Sequence, residues 1–256
     1  MLRITLSALF LAAVVYGVVY AGNEPVNETV APGTEPASAS EAAPAREGGA
    51  VSGTITFGGQ EVAGEEVDLS PDAYCVEHHS GGPYLIGEVK AGPQKDVFVQ
   101  LVGVPDEKYE VPDTPVVLDQ IECTYVPHVF GVMKKQDIEI RNSDETLHNI
   151  HPTPESNKEF NLAMPNKGDV RNKSFRKAED AIPFKCDVHP WMNAYCFVLE
   201  HPYFAVTDEN GTFSIDTTGL PDGDYEVKVW HEVLGEKDGS VTVADGSATF
   251  DVDFDG

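Results

Sequence analysis

The 256-residue chain carries 43 acidic against 17 basic side chains, a formal charge of −26. Such a surface repels nucleic acid, whose binding needs clustered Lys and Arg to displace phosphate counterions, so nucleic acid is excluded as a partner. The length allows one large or two ordinary domains, and four cysteines are too few for a disulfide scaffold.

Met1-Leu2-Arg3, an apolar run from Ile4 to Tyr20 and the small pair Ala21-Gly22 predict a secretory signal over 1–21. An uncleaved anchor is the alternative, because the run is about as long as the shortest spanning helix, and only then is a membrane a partner. Either way the folded part is expected in the periplasm or another extracytoplasmic space. Residues 22–50 are rich in Pro, Ala, Glu, Ser and Gly and hold almost no large apolar side chain, so a disordered linker is expected there.

From residue 51 the texture is that of an all-β protein, with short Val/Ile/Tyr/Phe runs broken by Gly, Pro, Asn and Asp and no sustained period of 3.6. The segment 51–113 opens on Val51-Ser52-Gly53-Thr54-Ile55-Thr56-Phe57, which alternates as a half-buried strand, with Val62 to Leu69 as its expected hairpin partner. Pro71 to Pro93 reads as a loop carrying Cys75, His78 and His79, and Asp96 to Val102 as a further strand. Over 114–200, Ile121 to Val126, Gln136 to Arg141, His148 to Ile150, Ala181 to Cys186 and Ala194 to Leu199 read as strands. Residues 155–180 are expected as a long polar excursion, locally basic through Lys158, Lys167, Arg171, Lys173, Arg176 and Lys177. Over 201–256, Asn210-Gly211 and Pro221-Asp222-Gly223 mark turns between strands. The EF-hand pattern needs a glutamate six residues after its glycine, and position 217 is threonine, so Asp208-Asn210-Gly211 is a turn and not a calcium loop.

The chemistry concentrates in Cys186-Asp187-Val188-His189-Pro190-Trp191-Met192, where a thiolate, an imidazole and a thioether recur at three-residue intervals. These are the soft and borderline donors that favour copper, with the thioether suited to a weak axial position. Convergence on one ion requires a short loop between strands, and a second imidazole is expected from His148. His151, three residues on, faces the other way in an unbroken strand and is the alternative ligand. His128 is expected to pack near the site, and His231 to lie at the surface. If Cys186 binds metal, Cys75, Cys123 and Cys196 form an odd set. One bridge plus one buried thiol is the simplest partition, with Cys75–Cys123 the leading pairing and the others open.

The ligand loop 186–192 resembles that of amicyanin, and Asn142 to Ile150, with its His148-Asn149 pair, looks like the matching cupredoxin segment. The resemblance covers roughly residues 114–200. It implies a Greek-key β-sandwich with one type 1 copper ion held by His148, Cys186 and His189 and, weakly, by Met192. It further implies that Asn149 ties the two ligand loops together, that His189 shows its outer edge at the surface, and that Pro190 and Trp191 form an apolar docking patch. The segment from Phe204 through Trp230-His231-Glu232 is similar to carboxypeptidase regulatory-like (transthyretin-like) sandwich modules. Val51 to Leu69 resembles the opening of the same module, which implies a cupredoxin inserted into a second, discontinuous sandwich. The implied function is one-electron transfer with a redox protein such as a cytochrome c or a dehydrogenase, and not an enzyme activity. Copper binding or delivery without a redox partner is the alternative. Paired His-x-His motifs for a trinuclear copper cluster and a Cys-x-x-Cys-His haem motif do not occur in the sequence.

Overall fold

The computed structural model describes residues 48–79 and 84–255, so the expectations for 1–21 and most of 22–50 lie outside the described residues. No helix among the described residues is long and apolar enough to cross a membrane. Among the described residues, apart from one short helix, Ala73–His78, the regular elements are strands, as the alternating patterns predict.

The strands build two sandwiches. In one, Ala50–Phe57 pairs antiparallel with Thr212–Asp216 and Gly92–Pro93 and parallel with Ala248–Thr249 and Val252–Asp253. Its facing sheet runs Phe204–Val206, Phe98–Val102, Gly223–His231, Gly235–Val243. Val51, Ile55, Val99, Leu101, Phe213, Ile215, Val227 and Val229 fill the space between them. These are the alternate positions of each strand, so one face of every ribbon is buried. Strands from both ends of the described chain therefore share one core.

The chain between them forms the other sandwich. One sheet runs Leu162–Met164, His148–Pro152, Glu179–Lys185, Asn193–Leu199, Val129–Met133, and the other Val170–Lys173, Ile138–Asn142, Val116–Ile121, Thr124–Val126. Parallel pairs, Asn193–Leu199 with Val129–Met133 and Val116–Ile121 with Ile138–Asn142, make the sheets mixed. Leu118, Phe130, Val132, Ile138, Ile140, Ile150, Phe184, Ala194 and Val198 form the core. A seam of Phe98, Val129, Phe197 and Leu199 joins the two sandwiches, backed by Phe204 and Trp230. Phe98 stacks on Phe197 at 3.8 Å. Gly131 allows this approach, because a Cβ there would lie 2.4 Å from the Phe204 ring.

Three expectations are corrected. Val62 to Leu69 is not the partner of the first strand. Within it only Glu65–Glu66 is strand, paired with Leu85–Ile86, because this stretch lacks the alternation that would bury one face. The excursion 155–180 contains the strands Leu162–Met164 and Val170–Lys173, short edge strands of which only Met164 is buried, so they carry no apolar period. His231, expected at the surface, is buried.

Candidate metal centre

The loop 186–192 follows the strand Glu179–Lys185 and precedes Asn193–Leu199. Two backbone bonds close it, Cys186 N–H to Met192 O at 3.1 Å and Met192 N–H to His189 O at 3.0 Å. The closure turns Cys186 and His189 inward together, which an extended strand would not do. His148 opens the strand His148–Pro152 on the same sheet. One donor atom each from His148, Cys186 and His189 lie within 4.8 Å of one another, and all three residues are buried. Met192 is fully buried in the same core.

Asn149 joins the two segments. Its Oδ1 accepts the Asp187 N–H at 2.7 Å and lies 3.3 Å from Cys186 Sγ. The His189 N–H points at the sulfur from 3.4 Å. Burial pushes the Cys186 thiol up, but the hydrogen bonds of His148, His189 and Asn149 outweigh it and bring the pKa down to about 6. A thiolate, the ligand and not the thiol, is thus favoured at neutral pH.

The imidazoles are oriented by carboxylates. His148 Nε2 lies 2.8 Å from Asp144 Oδ2, and His189 Nε2 lies 3.0 Å from Asp72 Oδ2. Asp144 also accepts the N–H groups of Glu122 and Cys123, each at 2.9 Å, and Asp72 accepts the Thr146 hydroxyl at 2.7 Å. Desolvation raises both carboxyls, yet these hydrogen bonds together hold both below the ordinary range. With each Nε2–H donating outward, each Nδ1 presents a lone pair inward. The two Nδ1 atoms face each other at 2.9 Å, and His189 Nδ1 is 4.0 Å from Cys186 Sγ.

Two lone pairs so opposed need a cation between them, either a proton or a metal ion. Nitrogens about 2.0 Å and a sulfur about 2.3 Å from a common ion would lie roughly 3.1–3.7 Å apart, and the observed separations bracket that range. The donor set of two imidazoles and one thiolate therefore fits copper. Carboxylates on the far ring nitrogens are the usual means of fixing tautomer and ring orientation at such centres.

The expectation about the surface is corrected. His189 is only 2 % exposed and Trp191 only 5 %. The segment around the helix Ala73–His78 lies over them. Trp191 Nε1–H donates to Cys123 O at 3.1 Å, and a Cys75–Cys123 disulfide fixes the segment in place. Pro190 remains exposed, but Trp191 contributes to the core and not to a docking patch. Cys186 and Cys196 are free and buried.

His151 does not join the three donors; its ring bridges Asp187 at 2.9 Å and Glu159 at 2.8 Å. His128 lies at the junction of the sandwiches, with Nδ1 3.1 Å from Asn193 O and Nε2 3.0 Å from Glu232 Oε1, the latter contact poorly aligned for a hydrogen bond. Sequence reasoning missed Asp72, Asp144 and Tyr125. Tyr125, buried beside the sulfur, donates to Asn149 O at 2.5 Å. Asp144 stands four residues before His148 in a polar turn, a signal that could have found it. Asp72 is 117 residues from His189 and no local pattern points to it.

Over part of its length the chain is similar to several solved structures. A Cu(I) mutant of amicyanin matches at 21 % identity over 39 % of this chain and 97 % of its own, with a TM-score of 0.30. A purple cupredoxin from Nitrosopumilus maritimus matches at 20 % identity over 32 % of this chain and 98 % of its own, with a TM-score of 0.29. A copper-containing nitrite reductase from Thermus scotoductus SA-01 matches at 20 % identity and a TM-score of 0.30, over 40 % of this chain but only 26 % of its own. No family model matches the chain, and no curated protein does either.

Proposed function

We propose that the chain is an exported copper protein whose single type 1 ion serves one-electron transfer, with His148, Cys186 and His189 as strong ligands and Met192 as a weak axial one. The observation that carries this reading is the pair of Nδ1 atoms held 2.9 Å apart by outward carboxylates beside a thiolate-prone cysteine. Copper supplies a reversible Cu(I)/Cu(II) couple when bound. The protein's part is to keep the donors in one geometry for both charges: the loop is closed by its own backbone bonds, Asn149 fixes it to the His148 segment, and burial excludes water. Little then has to move when the charge changes. The Cys75–Cys123 disulfide supports export, since such bonds persist in oxidising compartments. The proposed partner is another redox protein, of the cytochrome c or dehydrogenase kind.

Addition of Cu(II) to the metal-free protein tests the reading. An intense visible absorption is expected, together with a copper resonance spectrum of high covalency, and Cys186→Ser should abolish both. A folded protein that binds Cu(II) without that absorption would overturn the proposal. The burial of His189 favours a second reading, copper holding or delivery without a redox partner. Slow electron exchange with small inorganic oxidants, together with chelator-competent release of copper, would select it.

A further inference from the structure

The stretch Asp68–His79 is polar and comes far before the ligands in sequence, yet it contacts the centre directly. Asp72 reaches His189 Nε2 at 3.0 Å while its other oxygen caps the helix Ala73–His78 through Tyr74 N–H at 2.8 Å. Tyr74 continues to Asp144, the carboxylate behind the other histidine, at 3.3 Å. The disulfide lies against both rings: Cys75 Sγ and Asp72 each fall within 4.8 Å of a His189 ring nitrogen, and Cys123 Sγ and Asp144 likewise for His148. Leu69 and Tyr74 pack on the core that holds Cys186, Trp191 and Met192. Each observation concerns a different atom, and all place the same short segment across the mouth of the centre.

We propose that Asp68–His79 is a cover latched by the Cys75–Cys123 disulfide, that Asp72 is a positioning residue fixing His189 from outside, and that metal exchange requires the latch to open. Opening is thiol–disulfide exchange: a dithiol reductant passes two electrons and two protons to the Cys75–Cys123 bond, leaves as its own disulfide, and Cys75 and Cys123 become thiols. The closed segment keeps solvent from His189, and Asp72 keeps the proton on Nε2 so that Nδ1 faces inward. The metal-exchange clause rests on the copper reading; the covering of Cys186 does not.

The test uses the full chain in metal-free and copper-loaded form. In the metal-free protein, N-ethylmaleimide labelling of Cys186 is followed by peptide mass, with Cys196, fully buried, as the marker of an intact fold. Labelling should be slow in the unaltered protein and at least tenfold faster in Asp72→Ser and in Cys75→Ser/Cys123→Ser. Serine keeps a helix-capping acceptor but is too short to reach His189 or the Thr146 hydroxyl, so Asp72→Ser removes the Oδ2 contacts and spares the cap. Asp68→Asn, in the same segment but not bonded to His189, should behave as unaltered. In the loaded protein, copper transfer to a Cu(I) chelator under ascorbate should accelerate tenfold or more in the same two variants, and Asp72→Ser alone should shift the copper resonance spectrum relative to Asp68→Asn. Equal Cys186 labelling in all forms overturns the cover. Faster labelling with no copper absorption in any form keeps the cover and sinks the copper reading, and the reverse pattern sinks the cover alone. If the double variant labels at Cys196, its fold is lost, and Asp72→Ser with the disulfide in place decides.

Discussion

Asp144→Asn should weaken copper binding through a change of tautomer at His148, and the structure allows its size to be worked out. The carboxylate serves four donors: Tyr74 Oη–H and the Glu122 N–H at one oxygen, and the Cys123 N–H and His148 Nε2–H at the other. An asparagine has one acceptor oxygen, so in either amide orientation its NH2 group faces two donors. A buried donor left without an acceptor costs about 1–3 kcal/mol, so roughly 2–6 kcal/mol of folding stability is at stake. His148 can recover part of this by moving its proton to Nδ1, which lets Nε2 accept from the new amide. That Nδ1–H would then donate across 2.9 Å to His189 Nδ1, and the inward lone pair that a metal needs would be gone. Loss of an outer carboxylate of this kind costs about 10-fold to 100-fold in metal affinity. Competition for Cu(II) against a chelator measures the affinity, nitrogen NMR of the metal-free protein reads the tautomer, and urea unfolding gives the stability term separately. Unchanged copper affinity with His148 still protonated at Nε2 would refute the orienting role of Asp144.

The pair His128–Glu232 should give the metal-free protein a stability maximum in mildly acid solution. Burial pulls the His128 pKa down but the Glu232 contact raises it overall, so its contribution is complete below the unfolded value near 6.5 and is lost as pH rises through the folded value. Burial pushes Glu232 up but its ion-pair contact with His128 lowers it overall, so its contribution is present above about 4.3 and lost as pH falls through the folded value. The maximum between those limits should flatten in Glu232→Gln, as read from urea midpoints across pH. Gly131→Ala should destabilise by about 1–3 kcal/mol, because the added methyl meets the Phe204 and Phe98 rings at the seam; calorimetry checks this, and an unchanged melting temperature would show that the rings yield freely. Asn149→Ala removes the acceptor of the Asp187 N–H and the neighbour of Cys186 Sγ. It should broaden the copper absorption and cost about 1–3 kcal/mol, measurable by unfolding of the metal-free form.

The donors were legible because soft-donor spacing is a local property. Cys186, His189 and Met192 stand three residues apart in one loop, and the structure brings Cys186 and His189 together with His148. Strand existence was legible for the same reason, since one-sided burial writes a period of two into stretches such as Val51 to Phe57 and Tyr225 to Val229. Partnership was not local. The first strand's alternation is satisfied equally by any neighbour, and the structure supplies Thr212–Asp216, more than 150 residues away, in place of the expected hairpin. The surface role given to His189 failed because exposure depends on what lies over a residue. Asp72 and Cys75 reach the centre from a loop whose own composition is polar and unpatterned.

That loop also accounts for the extra sheet. The chain leaves the second sandwich after Ala50–Phe57 and re-enters it at Gly92–Pro93 and Phe98–Val102, so both ends of the covering stretch are fixed in strands that do not belong to the sandwich holding His148, Cys186 and His189. Its middle is fixed to that sandwich by Cys75–Cys123. Three anchors on two bodies can hold a cover in register only if the bodies do not shift against each other. The seam meets this need: Phe197 and Leu199 sit at the end of the strand that leaves the ligand loop, and they pack on Phe98 beside Trp230. His148, Cys186 and His189 all come from one sandwich. Closing His189 from outside requires a second scaffold to carry the closing segment, and the strands on either side of the inserted middle provide it.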